Sequence, residues 1–393
     1  MSTFVLNHLK PYDALTKFVE TRPLQGKTVL ITGAGRGVGE HIARAMASAG
    51  SSRIGIVGRD KTRIEAARDR FTAAFPSAKF EAFSADITDE DAFVAIFAAF
   101  GVPGVLINNA GHFPDTEPFI QQDLKSWWSG FEINILGTAN VTQKFLQALA
   151  ASPRAGGEAG ERAVVLNVSS MAAHMRFPLV AWSGYNGSKM GQARIFESLR
   201  FEHPDVRFVN IHPGQIESDG FAASGAPLPP GGMTDGGMAG QFYAWAATKE
   251  ADFLSGRFAW AEWDIEELKA KKGEILEKDL LLMTGVFYGD KLILLSLAKN
   301  PNKNVNSGKK FVIDAERERI KERREAKQRE EGQGPQEVEE LPGAGPSKLK
   351  KAAGRVTKRS NPDGNRQTGR SQSGMAWRQP SSFLPPSLQH FPP

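Results

Sequence analysis

The chain contains no cysteine. Disulfides, thiolate metal sites and a cysteine nucleophile are excluded together, and no metal is expected. The absence fits a reducing compartment, and a cytoplasmic location is expected. Long hydrophobic runs are also missing. Nothing approaches the roughly 18 consecutive apolar residues of a membrane span, so no membrane association is expected. Met1 to Lys10 shows no basic region followed by an apolar core, so no secretory signal is expected. The final residues, His390-Phe391-Pro392-Pro393, are no peroxisomal or retention address. Internal repeats are absent too.

What is present is an ordinary globular balance. Of the 393 residues, 40% are hydrophobic and 24% charged, enough to supply a sizeable core. The net charge of +5 is unevenly spread. Residues 301–393 hold 19 Lys and Arg against 11 Asp and Glu, whereas residues 1–300 hold 30 against 33. The basic character therefore belongs to the end of the chain and says little about what the body binds.

From Lys27 the pattern alternates. Short β-rich runs lie at Thr28–Ile31, Arg53–Val57, Lys79–Ser84, Gly104–Ile107, Ala163–Val168 and Val206–Ile211. Helix-like stretches separate them at Gly37–Ser48, Lys61–Phe75, Asp89–Phe100 and Tyr185–Phe201. This rhythm predicts βαβ units and a parallel sheet covered on both faces, with crossovers of one hand. The expected fold is α/β, a Rossmann-type doubly wound parallel sheet in a single domain over residues 26–300. Residues 1–25 read as an N-terminal extension. Residues 218–240, rich in Gly, Pro, Ala and Met, break the rhythm and read either as a mobile lid or as a plain surface loop. Beyond residue 300, Ala315–Gly332 is highly charged and suits a solvated helix. Residues 301–393 as a whole read as a disordered basic tail, because they offer too little apolar area to offset ordering entropy.

One turn carries chemistry by itself. Thr32-Gly33-Ala34-Gly35-Arg36-Gly37-Val38-Gly39 lies between the first strand and the first helix of the alternation. Glycines there allow a tight turn and close approach of backbone to a pyrophosphate. The helix start behind it offers free N–H groups and a positive dipole end. The spacing is Gly-x-x-x-Gly-x-Gly. Asn108-Asn109-Ala110-Gly111 follows the fourth strand, and Asn134 lies in a helix-like segment. Val168-Ser169-Ser170 ends the fifth strand. Tyr185-Asn186-Gly187-Ser188-Lys189 opens a helix, and Pro213-Gly214-Gln215-Ile216-Glu217-Ser218 follows the sixth strand. With these motifs in this order, the chain resembles the short-chain dehydrogenase/reductase family over about Gly26 to Asp264.

The resemblance implies hydride transfer between a nicotinamide and a carbonyl or alcohol, which needs a proton donor at the oxygen. Tyrosine is a poor one near neutrality, with a reference pKa of about 10. A nearby cation lowers that value. Tyr185 and Lys189 are four apart and share a helix face, so Lys189 is expected to depress the Tyr185 pKa and, as in relatives, to hold the nicotinamide ribose. Ser170 would hydrogen-bond the substrate oxygen. It stands fifteen residues before Tyr185, where relatives show about thirteen. A two-residue insertion in Met171–Gly184 reconciles the spacing and leaves Ser169 as the alternative. Asn134 matches the family's helix asparagine, whose carbonyl holds a water in a proton relay. His174 could touch substrate or simply lie solvated. Trp127 and Trp128 could face substrate or a partner, or be buried.

The second strand ends Ile56-Val57-Gly58-Arg59-Asp60. Gly58 stands where NAD-preferring relatives carry aspartate, and Arg59 where NADP users carry arginine. Arg36 is a second basic residue suited to a phosphate, while Asp60 could cap a helix. NADP is therefore expected over NAD. The resemblance further assigns Thr32, Gly33, Gly37, Val38 and Gly39 to the diphosphate side, and Asp86 and Ile87 to the adenine. Asn109, Ala110 and Gly111 fall near the nicotinamide-side ribose. Pro213, Gly214, Ile216 and Ser218 fall near the carboxamide.

Phe253–Asp264 and the following Ile265–Leu268 resemble a subset found in filamentous fungi, which includes enzymes of secondary metabolism. The expected partner is a small carbonyl or alcohol substrate, the expected activity a ketoreductase. A catalytically silent NADP-binding regulator or scaffold is the alternative, although both Tyr185 and Lys189 are present. Homo-oligomerisation is expected from the family. Nucleic-acid binding through the basic tail is not.

Overall fold

A computed structural model describes residues 5–114, 116–152, 162–174, 181–229 and 231–283, together with the backbone of 287–288 and 291–292. The expected disordered tail at 301–393, with its charged Ala315–Gly332, lies outside the described residues.

Helix α1 (Asp13–Glu20) precedes the alternation. There follow β1 (Thr28–Thr32), α2 (Gly37–Ser48), β2 (Arg53–Gly58), α3 (Lys61–Ala74), β3 (Lys79–Ser84), α4 (Glu90–Phe100) and β4 (Val105–Asn108). Next come α5 (Leu124–Phe131), a π-helical turn at Glu132–Gly137, α6 (Thr138–Ala151), β5 (Ala163–Val168), α7 (Ser183–Glu202) and β6 (Val206–His212). The chain continues through α8 (Asp219–Ala223), α9 (Gly236–Ala246), β7 (Arg257–Trp260), α10 (Ile265–Ala270) and α11 (Lys272–Glu277).

The seven strands form one parallel sheet in the order β3-β2-β1-β4-β5-β6-β7. Every residue of β5 and β6 is buried, as expected of strands covered on both faces. Val29 and Ile31 pack into one apolar cluster and Leu30 into another. Successive side chains of a strand point to opposite faces, so the two clusters are the two sides of the sheet. The strand order reverses between β1 and β4, and the crevice beyond their carboxyl ends is where such sheets bind ligands.

Two regions differ from the sequence expectation. Residues 218–240 are no uninterrupted loop: Asp219–Ala223 is a short helix, and α9 begins at Gly236, capped by Asp235 accepting from the Met238 N–H. Glycine disfavours helix by about 1 kcal/mol, which hides α9 from pattern reading. The glycines are there for proximity. A Cβ on Gly240 would stand 2.5 Å from the His41 carbonyl oxygen, and one on Gly236 2.4 Å from the His41 ring. Small residues thus let α9 lie directly against α2 under the sheet.

The second region is the N-terminal extension. Leu15 and Val19 of α1 are buried in the same cluster as α9. Ahead of them, the His8 N–H donates to the Glu262 carbonyl and the His8 ring meets Asp264 at 3.0 Å. The Tyr12 hydroxyl donates to the Trp263 carbonyl. Val5, Leu15, Val19 and Leu24 thus belong to the core. Truncating fully buried Leu15 to alanine should cost roughly 2–5 kcal/mol. The measurement is urea unfolding of Leu15→Ala, and an unchanged midpoint would show that α1 is dispensable.

Candidate functional site

The glycine turn is built by exclusion of side chains. Gly33 and Gly37 have φ of +68° and +56°, values that favour glycine. A Cβ on Gly39 would stand 2.3 Å from the Gly33 carbonyl oxygen and 2.5 Å from Asn109 Nδ2. The turn is then tied to the end of β4. Asn109 Nδ2 donates to the carbonyls of Thr32 and Gly33, each at 2.9 Å. Thr32 Oγ1 accepts from the N–H groups of Asn109 and Ala110, each at 3.0 Å. The Asn109 side chain, expected beside a ribose, here fixes the turn. Arg36 precedes α2, and no side chain caps the helix start.

A cavity of about 340 Å³ runs from this turn past Val57, Gly58, Arg59, Asp86 and Ile87. The two expected phosphate-binding arginines both line it, yet each already has an acidic neighbour. Arg36 pairs with Asp219, and Arg59 lies 3.7 Å from Asp86. Asp60 caps α3 by accepting from the Arg63 N–H. Asp86 Oδ1 accepts from the Thr88 N–H and hydroxyl.

A second cavity, of about 240 Å³, shares Val38, Asn109, Gly111, Ser218 and Gly220 with the first. Ser170, Tyr185 and Lys189 lie here together, with Pro213, Gly214 and Ile216. Three elements converge. The end of β5 supplies Ser170, α7 supplies Tyr185 and Lys189 one turn apart, and the loop after β6 closes the far side. Tyr185 accepts or shares a hydrogen bond with Ser170, and burial nevertheless raises its pKa. This reverses the expected direction. The loss of water around the phenol outweighs the Ser170 hydrogen bond, and Lys189 is itself desolvated. Its own pKa falls to about 8 for that reason.

The ammonium is held by protein acceptors. Lys189 Nζ donates to the Val168 carbonyl at 2.9 Å and to Gln192 Oε1 at 3.2 Å. Gln192 in turn donates to Thr138 Oγ1. Asn134 sits in the π-helical turn, a distortion often found at functional sites. Its side chain accepts from the His112 N–H and donates to the His112 carbonyl and to Ser188 Oγ. It joins the β4 loop to α7 at the level of Lys189.

Other residues had no distinctive sequence signal. Phe113 packs at a tilt against Tyr185, 4.2 Å between ring centroids, and meets Trp182 edge-on at 4.9 Å. Gly214 has φ +91°, and a Cβ there would stand 2.4 Å from Thr234 Oγ1. That hydroxyl accepts from the Gln215 N–H and donates to buried Glu262, fixing the loop after β6. Ser218 caps α8 through the Phe221 N–H.

His174 does not line either cavity and packs edge-on against Phe258 and Trp260. Trp127 bonds Ser183 on α7, and Trp128 is exposed over Phe131. The expected insertion in Met171–Gly184 falls partly on 175–180, outside the described residues. No helix among the described residues is long and apolar enough to cross a membrane.

The family model described as short chain dehydrogenase matches residues 27–227. A short chain dehydrogenase/reductase of the fungus Claviceps purpurea is 35% identical over 253 residues, covering 63% of this chain and 82% of that one. The fold matches a 3-oxoacyl-[acyl-carrier protein] reductase with bound NAD from Brucella melitensis, with a TM-score of 0.55 and 21% identity. That match covers 65% of this chain and 97% of the other. It also matches a Pseudomonas aeruginosa RhlG/NADP complex, with a TM-score of 0.55 and 22% identity over 61% of this chain and 96% of that one.

Because Gly39 touches both the turn carbonyl and Asn109, Gly39→Ala should cost roughly 1–3 kcal/mol of stability. A urea midpoint equal to wild type would show that the turn opens freely.

Proposed function

Since the chain belongs to the short-chain dehydrogenase/reductase family, an oxidoreductase family, we propose that it is an NADPH-dependent ketoreductase acting through Ser170, Tyr185 and Lys189. The observation that carries this reading is their meeting in one cavity that shares its lining with the cavity at the glycine turn. The uncapped start of α2 and the crowded Gly39 leave backbone N–H groups free to meet a diphosphate. Thr32 and Ala110 support the turn, while Gly111, Pro213, Gly214, Ile216 and Ser218 line the nicotinamide side. Asp86 and Ile87 flank the adenine.

Bound NADPH supplies the hydride that reaches the carbonyl carbon. The rest is done by the chain. Ser170 holds the carbonyl oxygen, and the Tyr185 hydroxyl gives it a proton as negative charge develops there. A raised phenol pKa keeps that proton in place until the oxygen becomes basic. Lys189, with a pKa near 8, is mostly charged at neutral pH and stabilises the phenolate left behind. Asn134, joined to the helix of Lys189 through Ser188, positions the route by which a proton returns.

The preference for NADPH rests on Arg36 and Arg59. Their partners Asp219 and Asp86 form exposed pairs, worth only about 0–1 kcal/mol each, so a phosphate dianion gripped by a guanidinium outcompetes them. The resemblance of the Phe253–Leu268 ending to a fungal subset that includes enzymes of secondary metabolism favours such a role. Self-association is part of the reading: Leu124, Trp128, Leu136 and Met190 are exposed on α5, the π turn and α7, and such apolar surface suits contact between copies. Light scattering should give a mass above the monomer.

The direct test is a screen of carbonyl compounds followed by NADPH absorbance. Tyr185→Phe should retain NADPH binding and lose turnover by about 10²–10⁴-fold; a wild-type rate would refute the proton-donor role. Arg59→Ser should lower kcat/KM for NADPH by about 10- to 100-fold with a much smaller effect on NADH. Equal efficiency of the two cofactors in the wild type would sink the NADPH assignment.

A further inference from the structure

Two polar groups on the floor of the substrate cavity take no part in that mechanism. Strands β5 and β6 end side by side, with Val168 paired to Ile211. Ser169 and His212 are the next rung, and the Ser169 N–H donates to the Ile211 carbonyl at 2.9 Å. Both side chains line the cavity that contains Tyr185. They are 3% and 4% exposed. Ser169 Oγ and His212 Nδ1 each lack a hydrogen-bond partner. Buried polar atoms are rarely left unpaired, because water has been removed with nothing in its place. Two such atoms on adjacent strand ends, in residues that line one cavity, leave bonding capacity that a ligand oxygen would complete.

The chemistry of the pair limits that atom. The His212 ring is packed edge-on against Trp260 at 4.7 Å. Burial, with neighbouring His174 adding to it, holds its pKa at about 3, so the ring is neutral and offers one donor and one acceptor. The serine hydroxyl offers both as well. A hydroxyl or keto oxygen satisfies such a pair, and a charged group does not. The described lining residues include no carboxylate and no guanidinium, and Lys189 is already assigned to the reacting end. The walls are aromatic. Phe113 and Trp182 stand edge-on to one another beside Tyr185, with Phe221 also lining the cavity. These surfaces suit offset or edge contacts with a flat unsaturated ring.

We propose that Ser169 and His212 form a second oxygen-binding subsite, so that the substrate is an uncharged, flat ring ketone bearing a further hydroxyl or keto oxygen. The inference rests on the ketoreductase reading of this cavity. Ser170 and Tyr185 take the reacting carbonyl, while Ser169 and His212 take the other oxygen and set which ring face and which carbonyl meet the hydride. Both are specificity-determining residues.

The test compares α-tetralone with its four isomers hydroxylated on the benzo ring. Binding to the NADP⁺-loaded protein is read by quenching of tryptophan fluorescence, so no turnover is needed. At least one isomer should bind about tenfold more tightly than α-tetralone, as expected where a site is built to bond an oxygen. Ser169→Ala and His212→Phe should each reduce that preference to about threefold or less, and His212→Asn, which keeps a polar atom near the Nδ1 position, should restore most of it. Ser169→Ala removes a single oxygen and guards against a folding artefact at His212. No preference in the wild type, or a preference that survives either Ser169→Ala or His212→Phe, overturns the subsite and leaves the pair bonded to a trapped water only. Tyr185→Phe, assayed separately for NADPH-driven turnover of the same ketones, separates the two readings. Full turnover in that variant overturns the ketoreductase mechanism whatever the subsite does, and failure to bind any of the five ketones overturns both.

Discussion

The Lys189 ammonium is buried, and the organisation of the site follows from that. A cation taken out of water must find acceptors in the protein. Here they are the carbonyl of Val168, at the end of β5, and Gln192 one turn further along α7. Holding them requires more of the fold. Gln192 is fixed by Thr138, at the start of α6, while Asn134 in the preceding π turn binds Ser188, the neighbour of Lys189. The widened turn, the helix and the strand end are therefore one bonded unit around a single charge. Tyr185 lines the same cavity, and burial raises its pKa.

The cofactor side is governed by a steric constraint in place of a charge. Gly39 leaves no room for a Cβ against Gly33 and Asn109, and Asn109 uses both amide hydrogens to lock the turn carbonyls. A similar economy of side chains recurs below the sheet, where Gly236 and Gly240 bring α9 onto α2. In both places small residues allow backbone to approach backbone. In one the product is a concave surface of N–H groups, in the other a dense core.

The contrast between these two uses of glycine explains much of what could be read from the sequence. The strands were legible because β1, β4 and β5 are almost uninterrupted apolar runs, and α2 and β3 were placed residue for residue. The turn at Gly33–Gly39 was legible because it sits between a strand and a helix. Helix α9 was not, because glycine and methionine at its start carry no helical signature and their purpose lies in a contact 195 residues earlier in the chain, at His41. The packing of Leu15 and Val19 was hidden for a related reason, since a short helix before the first strand reveals its partner only in three dimensions. At the site, Ser170, Tyr185 and Lys189 line one cavity, but the direction of the Tyr185 shift was not legible. Spacing along a helix conveys proximity to a cation and says nothing about how much water both groups lose. The acidic neighbours of Arg36 and Arg59, and the unpartnered atoms of Ser169 and His212, are likewise properties of packing.

The central claim is that a buried, charged Lys189 sustains proton transfer from Tyr185. It is tested most directly by the pH dependence of kcat/KM for NADPH-driven ketone reduction, which reports ionisations of the enzyme before substrate binds. Burial places the Lys189 pKa at about 8, and the charged form lies on the acid side. The profile should therefore be level below that value and fall as pH rises through it, following a single ionisation. A rate that stays level well beyond it, to the ordinary lysine range near 10.4, would contradict the account.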